Sequence, residues 1–354
     1  MKTEREPRPE SAAPRRNAGC ESLYTILIVT WNGDDLLREC LESLAVSLAK
    51  PPHCVVVDNA ALDSTRALCR RFGFVDYVPS AENLGFAGGN NLGWPRCKTK
   101  YVCLLNNDTR IRGNPFATLV DFMERNPRAA VTQGTMILPR CGGTLDDCGT
   151  TLRWYGVQHH RFFRSPPPPD LAPAPVFAAK GAFMMVRAEA VDEAGGFLFH
   201  PHFKSYYEET DFCHRAWLSG HEIWFVPTVP VEHMLGATSS KLDNAMVWRQ
   251  YIANILFSFS ANFTVVGRLR ILTPFAFVCV AFAALNLLRG RFRLFWAIAT
   301  APWINFHRRK ELRETRAIVQ KIRKLSDHEV LNAWRSARHR CGTKQAKNYV
   351  SYIS

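Results

Sequence analysis

The densest group of acids in this 354-residue chain is Tyr206-Tyr207-Glu208-Glu209-Thr210-Asp211. Like charges crowd one another there, and partial burial beside aromatic rings raises a carboxylate pKa toward values useful to a general base. The same acids suit the first turn of a helix, where the macrodipole favours negative charge. Both readings stand on composition alone. Asn106-Asn107-Asp108 offers oxygen ligands of the kind a divalent cation takes, although Asn-Asp pairs at strand ends are also ordinary turns. His233 follows a strand-like run and precedes Gly236, a position for a metal or phosphate ligand or for a structural imidazole. Residues 83–91, NLGFAGGNN, read as a glycine-rich loop whose backbone can approach a phosphate or a ribose. Its GxxGG spacing is not the dinucleotide fingerprint.

These side chains need a frame that gathers them. Residues 24–30, 54–57, 74–78 and 101–105 are short, apolar and largely β-branched, as expected of buried parallel strands. Between them, residues 36–48 carry leucines at helical spacing, and Asp63-Ser64-Thr65 caps a second helix expected to run to Phe72. Strands alternating with helices imply an α/β fold with a parallel sheet. Ligands of such sheets bind beyond the carboxyl ends of the strands, where Asp58 and Asp108 fall. Residues 165–175 are proline-rich and stiff, a linker or a long loop. The strand-like run 182–186 beyond them favours a loop within one domain.

The net charge of +14 calls for anionic partners: phosphate-bearing substrates, an acidic membrane face or nucleic acid. Basic residues crowd beside apolar segments rather than interleaving with aromatics, which sets nucleic acid aside. Residues 271–288 are apolar, with Arg268 and Arg270 before them and Arg289, Arg291 and Arg293 after. A second apolar piece, 294–306, leads into His307-Arg308-Arg309-Lys310. Three readings compete: an interfacial or re-entrant membrane segment, a true span and a buried core helix. Attraction to anionic lipid would account for much of the charge excess. The eleven cysteines are odd in number and lack metal-ligand spacing, so they read as reduced thiols, with Cys54, Cys103 and Cys279 as small buried apolar residues. Residues 1–22 are polar and proline-rich without an apolar leader core, so the expectation is a disordered tail on a protein working in the cytoplasm.

Taken in order, seven stretches between residues 24 and 240 resemble the glycosyltransferase family 2 enzymes of GT-A fold, and their rhamnosyltransferase-like bacterial branch in particular. They are ILIVTWNGDDLLRECLESL, VVVDNAALDST, ENLGFAGGNN, YVCLLNNDTRI, KGAFMMVRAEAVDEAGGF, YYEETDFCHRAWLSGHEIWFVP and VEHMLGATSS. The resemblance implies a mixed, mostly parallel sheet flanked by helices, binding a nucleotide-diphosphate sugar with Mg2+ or Mn2+. Thr30 and Asn32 would lie beside the nucleotide, and Asp58 would hold the base or ribose. Asn83, Gly85 and Asn107 would border the donor. Asp108 and His233 would hold the cation, and Glu209 would be the base of an inverting displacement, with Asp211 as the alternative base. The cation motif has one acid here, and Glu209 stands where the family usually has Asp. His200-Pro201-His202 replaces an acidic turn.

The implied plan is a tail (1–22), a catalytic domain (23–245), a helical membrane-associating region (246–330) and a second tail (331–354). The acceptor would be a glycan or a lipid-linked sugar at the cytoplasmic face of an anionic membrane. The alternative is a catalytically inactive protein that binds a nucleotide sugar or scaffolds a partner enzyme.

Overall fold

The computed structural model describes residues 23–234 and 243–333; the two expected tails, apart from 331–333, and the end of the last matched stretch lie outside them. The first part alternates strand and helix: β1 (Tyr24–Thr30), α1 (Asp34–Ser47), β2 (Cys54–Asp58), α2 (Asp63–Cys69), β3 (Val75–Pro79), α3 (Gly85–Gly93) and β4 (Tyr101–Asn106). Next come β5 (Thr109–Arg110), α4 (Pro115–Arg125), β6 (Ala129–Gln133), β7 (Met136–Leu138), β8 (Thr144–Leu145), β9 (Thr150–Leu152) and β10 (Gln158–His160). The chain continues through β11 (Ala174–Pro175), β12 (Phe183–Arg187), α5 (Ala188–Glu193), α6 (Glu208–Leu218), β13 (Glu222–Phe225) and β14 (Val231–His233). Five helices follow: α7 (Asn244–Asn262), α8 (Val265–Leu288), α9 (Phe292–His307), α10 (Arg309–Ile322) and α11 (Asp327–Ala333).

The main sheet runs β11-β13-β6-β12-β4-β1-β2-β3. Strands β1 to β4 are parallel, and β12 runs antiparallel between β4 and β6. Alternate residues of the central strands enter two different cores. Leu27, Val55, Val57 and Leu104 face one side, and Ile26, Ile28, Val56 and Leu105 face the other. Burial on both faces is why these strands read as continuous apolar runs. A smaller sheet, β5-β14-β7-β8, stands beyond the carboxyl end of β4. The proline-rich segment is a loop inside the domain, since β11 at its end pairs with β13.

Three expectations are corrected. The glycine-rich segment is a helix, α3, not a loop. Its glycines let it lie close on the sheet: a Cβ at Gly93 would come 2.4 Å from Leu27 Cδ1 and 2.7 Å from Val57 Cγ2. Helix α2 stops at Cys69, with Leu62 at its N-cap and no side-chain cap bond. Cys279 is only half-buried, whereas Cys54 and Cys103 are fully enclosed.

Helices α7, α10 and α11 contribute to the same core as the sheet, through Phe257, Phe259, Val319 and Val330. Helix α8 is different. It is long and apolar enough to cross a membrane, yet Phe277, Val280, Leu285 and Leu288 lie open. Ile271, Phe275, Ala283 and Asn286 are its only buried residues, so the core-helix reading does not hold. Helix α9 buries Leu294, Ala297, Ile298 and Ala301 but exposes Phe292, Trp296, Trp303 and Phe306.

At Gly85 the backbone has φ +71°, and an added Cβ would lie 2.2 Å from the carbonyl oxygen of Lys204. Gly85→Ala is expected to cost about 2 kcal/mol or more in denaturant unfolding. Gly73→Ala, which meets nothing within 4 Å, should stay within about 0.5 kcal/mol of wild type. Equal midpoints would contradict the close docking of α3.

Candidate active site

The carboxyl ends of β1, β2 and β4 are level, with Thr30 opposite Asp58 and Val29 opposite Asn106. Thr30 is buried, and its hydroxyl accepts from the Asn107 amide at 2.9 Å. Asn32 is exposed in the following turn, in the left-handed region at φ 50°. Asp58 is fully buried, accepting from the N–H groups of Ala60 and Leu62 (2.9 and 2.8 Å) and from the Tyr77 hydroxyl (2.9 Å). Its carboxylate is therefore spent on shaping the turn after β2. Asn83 is exposed and accepts from the Gly85 N–H at 2.9 Å, while Asn59 donates to the Gly85 carbonyl at 3.0 Å. That bond ties the start of α3 to the end of β2.

Asp108 and His233 come together because β14 pairs antiparallel with β5, and Met234 N–H donates to the Asp108 carbonyl at 2.9 Å. His233 Nε2 lies 3.3 Å from Asp108 Oδ1, and both side chains are buried. Oδ1 has no well-aligned hydrogen bond. On its other side His233 Nδ1 is 2.8 Å from Asp146 Oδ2. Burial disfavours the charged ring, but the two carboxylates facing it outweigh that and push its pKa up to about 9. Asp146 in turn accepts from Lys180 Nζ at 2.6 Å. Its burial alone would raise its pKa; Lys180 and His233 hold it well below the usual carboxylate range.

The sequence reading missed Asp146 and the residues around it. Asp147, also fully buried, accepts from the Gly149 N–H (2.8 Å) and pairs with His160 Nδ1 (2.9 Å). Gln133 Oε1 accepts from the Lys180 N–H at 2.7 Å. The adjacent pair in Leu145-Asp146-Asp147-Cys148 was the available signal. Two neighbouring carboxylates in an apolar setting need partners.

The acid segment begins with strained backbone. Tyr206 and Tyr207 are consecutive non-glycine residues at φ 72° and 75°. Asn254 of α7 holds them by donating to the Tyr206 carbonyl at 2.7 Å. Glu208 is buried, and Glu209 is half-buried; one oxygen of each is enclosed without a hydrogen bond. Burial raises both pKa values, and the Glu209 charge adds to the rise at Glu208. Glu209 packs beside Gly181 and feels the charges of His160 and Lys180.

Asp211 is differently placed. It accepts from Arg215 Nε and Asn262 Nδ2, each at 3.0 Å, inside the protein. Arg215 also donates to the carbonyls of Ala194, Phe197 and Leu198. Burial would raise the Asp211 pKa, but Arg215 and its hydrogen bonds bring it below the usual value. Asp211 ties α6 to α7 through Asn262 and neutralises the Arg215 that fastens α6 to the preceding loop, and it is enclosed within the protein. His200 is likewise structural: its Nε2 is 2.9 Å from Thr315 Oγ1 of α10, and burial lowers its pKa to about 4.

Residues 25–188 match the family described as glycosyl transferase family 2. The chain is 28% identical over 200 residues to the low-salt glycan biosynthesis hexosyltransferase Agl10 of Haloferax volcanii, covering 54% of this chain and 61% of that protein. It is 26% identical over 98 residues to glycosyltransferase GlyA of Streptococcus pneumoniae, covering 27% and 14%. Both matches thus span less than two thirds of the relative.

Three solved structures are similar. GalNAc-T7 with UDP, GalNAc and Mn2+ has a TM-score of 0.51 at 16% identity, over 67% of this chain and 48% of that one. The mannosyltransferase PcManGT of Pyrobaculum calidifontis, in complex with GDP-Man and Mn2+, has 0.50 at 15%, over 89% of each chain. S. aureus TarS 1–349 with UDP-GlcNAc has 0.52 at 15%, over 84% and 90%. These likenesses show the fold, which is GT-A.

Removing the charge of Asp211 leaves Arg215 buried without a counter-ion. Asp211→Asn is expected to cost about 3 kcal/mol or more, measured by denaturant unfolding at neutral pH. Because the folded pKa is depressed, the stabilisation is present above the unfolded value of about 3.9 and is lost as pH falls through the folded one. The gap between wild type and variant should therefore narrow below about pH 4. A gap below about 1 kcal/mol at neutral pH would contradict this role.

Proposed function

We propose that this chain, whose residues 25–188 match the glycosyl transferase family 2 model, is an inverting glycosyltransferase acting on a nucleotide-diphosphate sugar. One observation carries the reading. A buried carboxylate with an unsatisfied oxygen, Asp108, stands beside His233 at the carboxyl edge of the sheet, and the Asp146–Lys180 pair links that point to the surroundings of Glu209.

An oxygen and an imidazole nitrogen suit Mg2+ or Mn2+, and the buried Asp108 Oδ1, 3.3 Å from His233 Nε2, makes no well-aligned hydrogen bond. Among the described residues no three His, Cys, Asp or Glu groups converge on one point. Two protein ligands fit a cation shared with substrate phosphates. When bound, that cation supplies positive charge to the diphosphate and its leaving oxygen.

The rest falls to the chain. Glu209, its pKa raised by burial, takes the proton of the acceptor hydroxyl as that oxygen attacks the anomeric carbon. The bond from that carbon to the diphosphate breaks on the opposite face, so a single displacement inverts the centre. Thr30, Asn32 and Asn107 line the donor side, and Asp58 and Asn83 shape the turns around it. On sequence likeness, rhamnose is the first donor sugar to try, and a lipid-linked or polysaccharide glycan is the acceptor.

The helical region supports a reading in which the enzyme works at a membrane. Trp296, Trp303, Phe306 and Phe277 form an exposed apolar surface on α8 and α9, with Arg270, Arg289 and Arg291 open at the helix ends. Aromatic and basic residues in this arrangement suit the surface of an anionic bilayer. The cysteines among the described residues are free thiols, which fits the cytoplasmic face.

Asp108→Ala and Glu209→Gln are each expected to lower sugar transfer by about 100-fold or more, with unchanged circular dichroism. Near-wild-type turnover in both would refute the assignment, and donor binding without turnover in the wild type would favour an inactive scaffold. The double variant Trp296→Glu/Trp303→Glu should lose at least about 10-fold in binding to phosphatidylglycerol vesicles. A wild type that does not sediment with such vesicles would refute the membrane reading.

A further inference from the structure

Asp146 belongs to none of the segments that carry the proposed chemistry, yet it sits behind one of them. Its own N–H donates to the Met136 carbonyl at 2.9 Å, which fixes its backbone against β7. Strand β7 is also the parallel neighbour of β14, so one small sheet carries both Asp146 and His233. The side chain is fully buried. One oxygen meets His233 Nδ1 at 2.8 Å, and the other meets Lys180 Nζ at 2.6 Å.

A carboxylate flanked by an ammonium group and an imidazole can only accept, so Nδ1 of His233 carries a hydrogen. The remaining ring nitrogen, Nε2, is the one turned toward Asp108. Imidazoles that ligate a cation through one nitrogen characteristically give the other N–H to a carboxylate, which fixes ring rotation and strengthens the ligand. Lys180 occupies the second oxygen of Asp146 and so keeps the carboxylate from turning away from the ring. Asp147, its neighbour, is committed elsewhere, to Gly149 and His160.

We propose that Asp146 is the positioning residue of the cation site, locking His233 so that Nε2 is its ligating nitrogen. This rests on the reading of Asp108 and His233 as the cation's protein ligands.

The test uses the full chain and Mn2+ alone, with free Mn2+ followed by electron paramagnetic resonance. Asp146→Asn is expected to bind Mn2+ about 10- to 100-fold more weakly than wild type while keeping its circular dichroism. Binding within about threefold of wild type would overturn the role of Asp146 and leave the cation site standing, since about 10-fold is the least such a partner contributes. A wild type that binds no Mn2+ would instead remove the cation reading, and this inference with it. Should Asp146→Asn fail to fold, 15N-histidine spectra of the wild type with Cd2+ decide, using His233→Gln to assign the resonance. Ligation at Nε2 with a protonated Nδ1 is expected; ligation at Nδ1 would overturn the proposal.

Discussion

Four ionisable side chains stand in a row at the carboxyl edge of the sheet: Asp108, His233, Asp146 and Lys180. A charge buried alone there would cost several kcal/mol, so each must be answered by the next. The row can form only if β5, β14, β7 and β8 pair in their observed register. Much of the small sheet therefore serves to hold that row. Its one imperfect link is Asp108, whose Oδ1 is enclosed but lacks a well-aligned partner. Enclosed oxygens without a hydrogen bond also occur at Glu208 and Glu209, so the gaps gather at the acid segment and at Asp108, where a bound group would fill them.

The acid segment is held by a separate set of forces. Arg215 and Asp211 form a buried pair, and Arg215 secures α6 to the loop 194–198. Asn254 of α7 holds the left-handed backbone at Tyr206. Between these two anchors Glu209 remains half-buried and feels the charges of His160 and Lys180. The helical region thus holds the acid segment in place as well as bearing an exposed aromatic surface. Helix α7 reaches the Tyr206 carbonyl through Asn254, Gln158 through Tyr251 and Asp211 through Asn262, and α9 packs on α7 while showing Trp296 and Trp303 outward.

What the sequence made legible follows from range. Strands β1, β2 and β4 were readable to within a residue because burial on both faces writes an apolar run into consecutive positions. Glu209, Asp108 and His233 stood out through their neighbours in sequence. Asp146 did not, because its meaning depends on a partner 87 residues away. The segment 83–91 misled for another reason. Glycines that let a backbone approach a phosphate look the same as glycines that let a helix approach a sheet. The close approach of Gly89 to Val29 and of Gly93 to Leu27 and Val57 separates the two. Asp211 could equally have been a base until Arg215 and Asn262 were seen to enclose it.

One measurement bears most directly on the cation and donor reading: the melting temperature of the full chain with UDP-, GDP- and dTDP-sugars, each with and without Mn2+. A cation held by Asp108 and His233 against a diphosphate predicts a rise with one donor that appears only when Mn2+ is present. At a donor concentration 100 times its Kd that stabilisation is about 2.7 kcal/mol. A rise of the same size without the metal would mean that side chains alone neutralise the diphosphate. No rise with any donor, from a protein that unfolds cleanly, would contradict nucleotide-sugar binding itself.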